Sequence, residues 1–232
     1  MSDQDEALAQ IGKRFLEAVF CSSVEAGEIE IEERTFGEIV KSFKQILAAD
    51  SAGDAMAYIP MPKLDYRETL LEKAAAETKS GHLEISVTLY ATWLEHVING
   101  LLESGCARKG FSHATYLSLI RELRFGTKLR ALWEIVNLPP LPEEKLRAID
   151  HAIGLRNSFV HYKWPAHDVA GHDDRAAEFR RAVSEFESLV VFFDEIENAY
   201  FWSGRREELL IDFRKSIDEE LARRPFKLGD LA

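Results

Sequence analysis

A chain of 232 residues with a formal net charge of −11 is long enough to bury one substantial core and a smaller appendage. Its 30% charged and 46% hydrophobic residues are ordinary for a globular protein, and no apolar run approaches the roughly 18 residues of a membrane span. The acidic balance argues against broad nonspecific nucleic-acid binding, though it leaves room for a small basic pocket that engages one or two phosphates. The acidic start, Met1 to Glu6, lacks the basic-then-apolar layout of a signal peptide. Cys21 and Cys106 are too few and too far apart for a disulfide framework or a thiolate metal site. The chain therefore reads as cytoplasmic, with no membrane partner.

Helical periodicity dominates from end to end. Leu8, Ile11, Phe15 and Val19 predict a first amphipathic helix, and Phe36, Ile39, Phe43 and Leu47 a second. The stretch from Asp50 to Lys63, with Pro60 and Pro62, reads as a connector. Residues 1–63 thus form an N-terminal helical appendage. A larger block starts near Leu64, where Leu83, Val87, Tyr90, Leu94, Val97 and Leu101 recur at alternating steps of four and three. That spacing predicts one long helix with a continuous apolar stripe.

Ser112 is placed to cap a helix ending near Phe125, with Gly126 and Thr127 expected to interrupt it. Leu129, Leu132, Trp133 and Val136 mark a further helical piece. Asn137 to Pro142 is a stop and restart, because proline with Glu143 and Glu144 behind it suits a helix N-terminus. The helix so opened is expected to run to about His161. After a loop, Asp173 is expected to cap a helix carrying Phe179, Val183, Phe186, Val190, Phe193 and Tyr200. Ser203 and Gly204 end it, and Leu210, Phe213, Ile217 and Leu221 mark the last helix, within residues 203–232. The fold class is all-α, with a four-helix core over residues 64–202.

The chemistry is concentrated in the helix before His161. Leu146, Ile149, Ile153, Arg156 and Val160 share one stripe, so Arg156 stands in an otherwise apolar row and requires an anion or several acceptors. Asp150, Gly154, Asn157 and His161 form a neighbouring stripe. Gly154 costs a helix on the order of 1 kcal/mol relative to alanine, which suggests a close approach by another backbone or a ligand. Arg156 and His161 lie about 140° apart on an ideal helix, so a helix end or a second subunit is needed for them to converge.

The segment Leu155-Arg156-Asn157-Ser158-Phe159-Val160-His161 resembles the ribonuclease motif of the HEPN superfamily, in which a histidine follows an arginine after four to six residues, here in the RNxxxH form. The resemblance covers residues 64–202 and implies a four-helix bundle with the motif late in its third helix, extra N-terminal helices and a C-terminal helix lying outside. It implies a metal-independent endoribonuclease with no cofactor, working as a homodimer on RNA, in which Arg156, Asn157 and His161 carry catalysis. It also implies a role as a toxin or in antiviral defence, with an antitoxin or regulatory protein as a further partner. The tyrosine that some toxin members carry two residues after the histidine is replaced here, since Tyr162 follows His161 directly and Lys163 takes that place. Two other readings stand beside this one: a noncatalytic HEPN module binding nucleotide or RNA, and an unrelated all-α protein-interaction domain.

Supporting residues are weaker. Glu95 is expected to pair with Arg156 or to face solvent. Lys163 is a candidate phosphate contact and Trp164 a candidate stacking platform or packing plug. Arg121, Arg124, Lys128 and Arg130 suggest either a basic strip or an ordinary solvated face. Arg108 and His113 repeat the motif's spacing in a glycine loop and serve as a decoy. His161, His167, Asp168, His172 and Asp173 match no zinc spacing, so no metal site is expected.

Overall fold

A computed structural model of the chain describes residues 3–51, 66–161 and 172–223. The fold is all-α, as the periodicity predicts, and no strand occurs among the described residues. The chain divides into two compact units, Asp65–Glu197 and a second made of Met1–Leu64 with Asn198–Ala232.

The unit made from the two chain ends contains α1 (Asp3–Glu25), α2 (Phe36–Ser51) and α10 (Arg206–Arg223). Its core is aromatic: Phe20 stacks on Phe213 with centroids 4.1 Å apart, and Phe43 meets both rings edge-on. Thr35 opens α2 through a reciprocal cap, its amide and hydroxyl donating to the Glu38 carboxylate at 2.8 and 2.7 Å. The buried face of α1 differs from the predicted one. Val19, Phe20, Ser23 and Val24 are buried, whereas Ile11 is 64% and Phe15 48% exposed. Helix α10 packs on the face of α1 that carries Phe20, and Ile11 and Phe15 lie off that face.

The unit Asp65–Glu197 is built around α4 (Leu83–Arg108). Of the predicted stripe, Leu83 is half-buried and Val87, Tyr90, Leu94, Val97 and Leu101 are buried, as are Ala91, Ile98, Leu102 and Cys106, which makes α4 a central helix covered on more than one side. The short α3 (Arg67–Lys79) packs along α4. It escapes a stripe-based reading because Ala74 is its one buried residue. Gly105 of α4 lies so close to Val136 that an added Cβ would fall 2.8 Å from a valine methyl.

Ser112 caps α5 (His113–Glu122) as expected, its hydroxyl accepting from the Thr115 amide at 3.1 Å. The break after α5 falls earlier than expected. Leu123 and Arg124 are extended, and Gly126 and Thr127 lie inside a renewed helical segment: α6 (Phe125–Thr127), a π-helical turn (Lys128–Leu132) and α7 (Trp133–Ile135). Two consecutive extended residues break the helix more effectively than a glycine that can simply adopt helical angles. Asn137 ends the segment in the left-handed region at φ 59°, a conformation asparagine tolerates.

Helix α8 (Glu143–Val160) starts behind Pro142 and buries Ile149, Ala152, Ile153 and Leu155. Helix α9 runs His172–Trp202, so Asp173 lies within its first turn rather than in front of it. Its Phe186 stacks on Tyr90 at 4.8 Å, and Phe193 meets Trp93 and Trp133 edge-on. Ser203 and Gly204, both at positive φ, end α9.

Candidate functional site at the end of helix α8

The helix carrying the motif stops where the motif ends. His161 sits at the C-cap of α8, its amide donating to the Asn157 carbonyl at 3.1 Å, and its side chain is exposed. Asn157 and Ser158 are half-buried, and Val160 is 45% exposed although it shares a row with the buried Ile149 and Ile153.

Arg156 points the other way. Its side chain is 22% exposed and its Nη2 donates to Oε1 of Glu95 on α4 in an ion pair. Of the two expectations for Glu95, pairing with the arginine or facing solvent, the geometry has the pair. The guanidinium Nε is buried with no hydrogen-bond partner. A donor left in that state carries a desolvation penalty, so the arginine is only partly satisfied by Glu95.

Asn99, which the sequence does not flag, and Lys128, read there as part of a basic strip, join the site. Asn99, one turn beyond Glu95 on α4, has its side-chain oxygen 3.4 Å from the Lys128 ammonium and its carbonyl 3.1 Å from the Tyr116 hydroxyl. Burial lowers the Lys128 pKa, against the opposing pull of Glu95. The same seam pushes the Tyr116 phenol up, first by burial and then by Glu103 and Cys106. Lys128 therefore leaves the basic strip suggested by Arg121, Arg124 and Arg130, which are exposed. It begins the π-helical turn, where an extra residue rotates the following side chains out of the ordinary helical register. Seen from α4, Glu95 has one cation on α8 and a second on the π-turn.

Gly154 is exposed, and a Cβ built on it would meet nothing within 4 Å. The close backbone approach expected there is thus absent among the described residues of this chain, and the position is open to a ligand or a second chain. Lys163, Trp164 and Tyr162 lie outside the described residues, as do His167 and Asp168. Among the described residues no cluster of three His, Cys, Asp or Glu side chains is arranged to hold a metal ion. The decoy pair is a turn, with Gly110 at φ +74° and His113 3.5 Å from Glu103. No helix among the described residues is long and apolar enough to cross a membrane. Comparison of the chain with protein-family models, with curated proteins and with solved structures finds no match.

Proposed function

We propose that the chain is a metal-independent endoribonuclease of the HEPN type, acting in the cytoplasm as a toxin or in antiviral defence, with a second copy completing its cleft. RNA supplies its own nucleophile. The ribose 2′-oxygen attacks phosphorus, the bond to the 5′-oxygen breaks, and the products are a 2′,3′-cyclic phosphate and a 5′-hydroxyl. His161 removes the 2′-OH proton or delivers one to the departing 5′-oxygen, a task suited to an imidazole near neutral pH. Arg156 offsets the charge that builds on the phosphate, and Asn157 holds the imidazole or a phosphate oxygen. An antitoxin or regulatory protein is the further partner this reading implies.

The observation that carries the reading is the combination on α8 of a half-buried arginine with an unpartnered Nε and an exposed histidine at the helix end. The unpartnered Nε and the exposed imidazole add nothing to the fold of a lone chain, although the Nη2 contact with Glu95 does. The divergence of the two side chains favours a cleft shared by two copies, with the open Gly154 beside it. The test is incubation of wild type, Arg156→Ala and His161→Ala with RNA in excess EDTA, followed by mapping of the ends. Cleavage to cyclic-phosphate ends by wild type, lost in both folded variants, is the expected result.

One observation favours a second reading, a noncatalytic helical module. The pairing of Arg156 with Glu95 is also what a purely structural ion pair requires. In that case wild type leaves RNA intact, and Arg156→Ala only lowers the melting temperature.

A further inference from the structure

Away from Glu95, a second face of α8 borders a groove against α9. The groove encloses about 440 Å³. Lys145, Arg147 and His151 of α8 line it, facing Arg181, Glu185 and Ser188 of α9. Glu144 is the one other carboxylate on its wall. Three permanent cations and two carboxylates give the groove a positive balance in a chain whose net charge is −11.

The groove is built rather than incidental. The Glu185 carboxylate accepts from Nε of Arg181 at 2.8 Å and lies 3.1 Å from Nδ1 of His151. That carboxylate is consumed in aiming an arginine and an imidazole, so it opposes an incoming anion less than a free glutamate would. Lys145 donates to the Ser188 hydroxyl at 3.2 Å and rests 5.4 Å from the Phe192 ring, which holds its ammonium at the groove wall. Arg147 is exposed, with a long bond from Nε to the Glu143 carbonyl at 3.4 Å.

The register of α8 relates this groove to the motif. Arg147, Gly154 and His161 follow one another at steps of seven, which drift by only about 20° per step on a straight helix. Arg147 and His161 therefore share one solvent-facing row, about 21 Å apart at 1.5 Å per residue. Between them lies Gly154, where no side chain obstructs the surface.

We propose that the α8–α9 groove is a phosphate subsite for the single-stranded RNA that the motif cleaves, with Arg147, Arg181 and Lys145 holding the backbone several nucleotides from His161. This assignment rests on the ribonuclease reading for its substrate but concerns residues the motif does not contain. It also explains how an acidic protein holds RNA: binding is confined to one row and one groove.

The test separates binding from chemistry. The probe is a fluorescent 2′-O-methyl oligouridylate, whose blocked 2′-oxygen cannot attack, titrated at several salt concentrations with wild type, Arg147→Ala/Arg181→Ala and the charge-matched control Lys79→Ala/Lys109→Ala. In the groove variant the Kd rises about tenfold, and the slope of log Kd against log salt drops by about 0.7 for each phosphate that is no longer neutralised. The control binds like wild type. Equal binding by wild type and the groove variant overturns the subsite, as does a wild type that does not bind the probe. Groove-dependent binding by a wild type that cuts no RNA keeps the subsite and sinks the ribonuclease reading. RNA cleavage by a wild type whose binding ignores Arg147 and Arg181 does the reverse.

Discussion

Arg156 and His161, about 140° apart on an ideal helix, leave α8 for different surroundings, the arginine drawn inward to Glu95 and the histidine ending the helix in solvent. One motif thus contains a residue the fold depends on and a residue it does not. Replacing Arg156 by alanine strands the Glu95 carboxylate, at a cost of about 1–2 kcal/mol for a half-exposed pair. His161→Ala removes an exposed side chain and leaves stability within about 0.5 kcal/mol of wild type. Both abolish cleavage under the proposed function. Urea denaturation beside the EDTA cleavage assay checks the asymmetry, and equal stability losses would count against the geometry.

Glu95 holds Arg156 in place and sits beside Lys128, so its charge matters more than its bulk. Glu95→Gln keeps the size and removes the anion that pulls on both cations. The expected result is a melting temperature lower by a few degrees, near 2–4 °C per kcal/mol for a chain of this length. Cleavage falls at least tenfold through kcat, because an unanchored guanidinium no longer meets the phosphate in one position. A variant that melts lower but cleaves at the wild-type rate would show that the pair only supports the fold.

What can be read from the sequence divides along physical lines. The α4 stripe, the Ser112 cap, the restart at Pro142 and the end of α8 near His161 are set by neighbours within a few residues, and periodicity or capping chemistry reveals them. Helix α3 buries only Ala74 and leaves no stripe to find. The outward position of Ile11 and Phe15 depends on where α10 packs, almost the length of the chain away. At the site, the inward aim of Arg156 is legible because Ile149 and Ile153 share its row, and Glu95 is a reasonable partner as a polar group on a mostly buried helix. Lys128 reads as part of a solvated strip because no local signal announces the π-turn that directs it toward Asn99. The groove residues escape a sequence reading for a similar reason: Arg181 and Glu185 meet Arg147 and His151 only after α9 has packed on α8.

Gly154 offers a test that gains stability while losing function. Among the described residues no atom lies within 4 Å of its added Cβ, so alanine fits without strain. Gly154→Ala stabilises α8 by about 0.5–1 kcal/mol through helix propensity. If RNA or a second copy presses against this row, the methyl group also lowers kcat/KM, by a factor of about three for a neighbour displaced without loss of the fold. A more stable variant with unchanged cleavage would mean that nothing approaches Gly154.

Gly105 is the opposite case. An alanine Cβ there lies 2.8 and 2.9 Å from two side-chain carbons of Val136, which is itself fully buried. Gly105→Ala should destabilise by about 1–3 kcal/mol, the usual cost of overpacking a filled core. In the double variant Gly105→Ala/Val136→Gly, both clashing carbons are gone, so the loss falls short of the sum of the two single losses by about 1 kcal/mol or more. Strict additivity in denaturation experiments would contradict the close approach of α4 to the chain after α7.

The groove also predicts how stability responds to acid. Burial pushes the Glu185 carboxyl up, but the hydrogen bonds and charges of His151 and Arg181 outweigh it and hold the group below its ordinary range. A carboxyl whose folded-state pKa is depressed stabilises the fold above its unfolded pKa, near 4.3 for glutamate, and loses that contribution as pH falls through the folded value. Wild type should therefore exceed Glu185→Gln in stability at pH 6 to 7, with the gap closing as pH drops below about 4.3. Urea denaturation of both proteins across this range measures the gap. A gap that stays constant into acid would mean that the glutamate's charge takes no part in holding His151 and Arg181 at the groove.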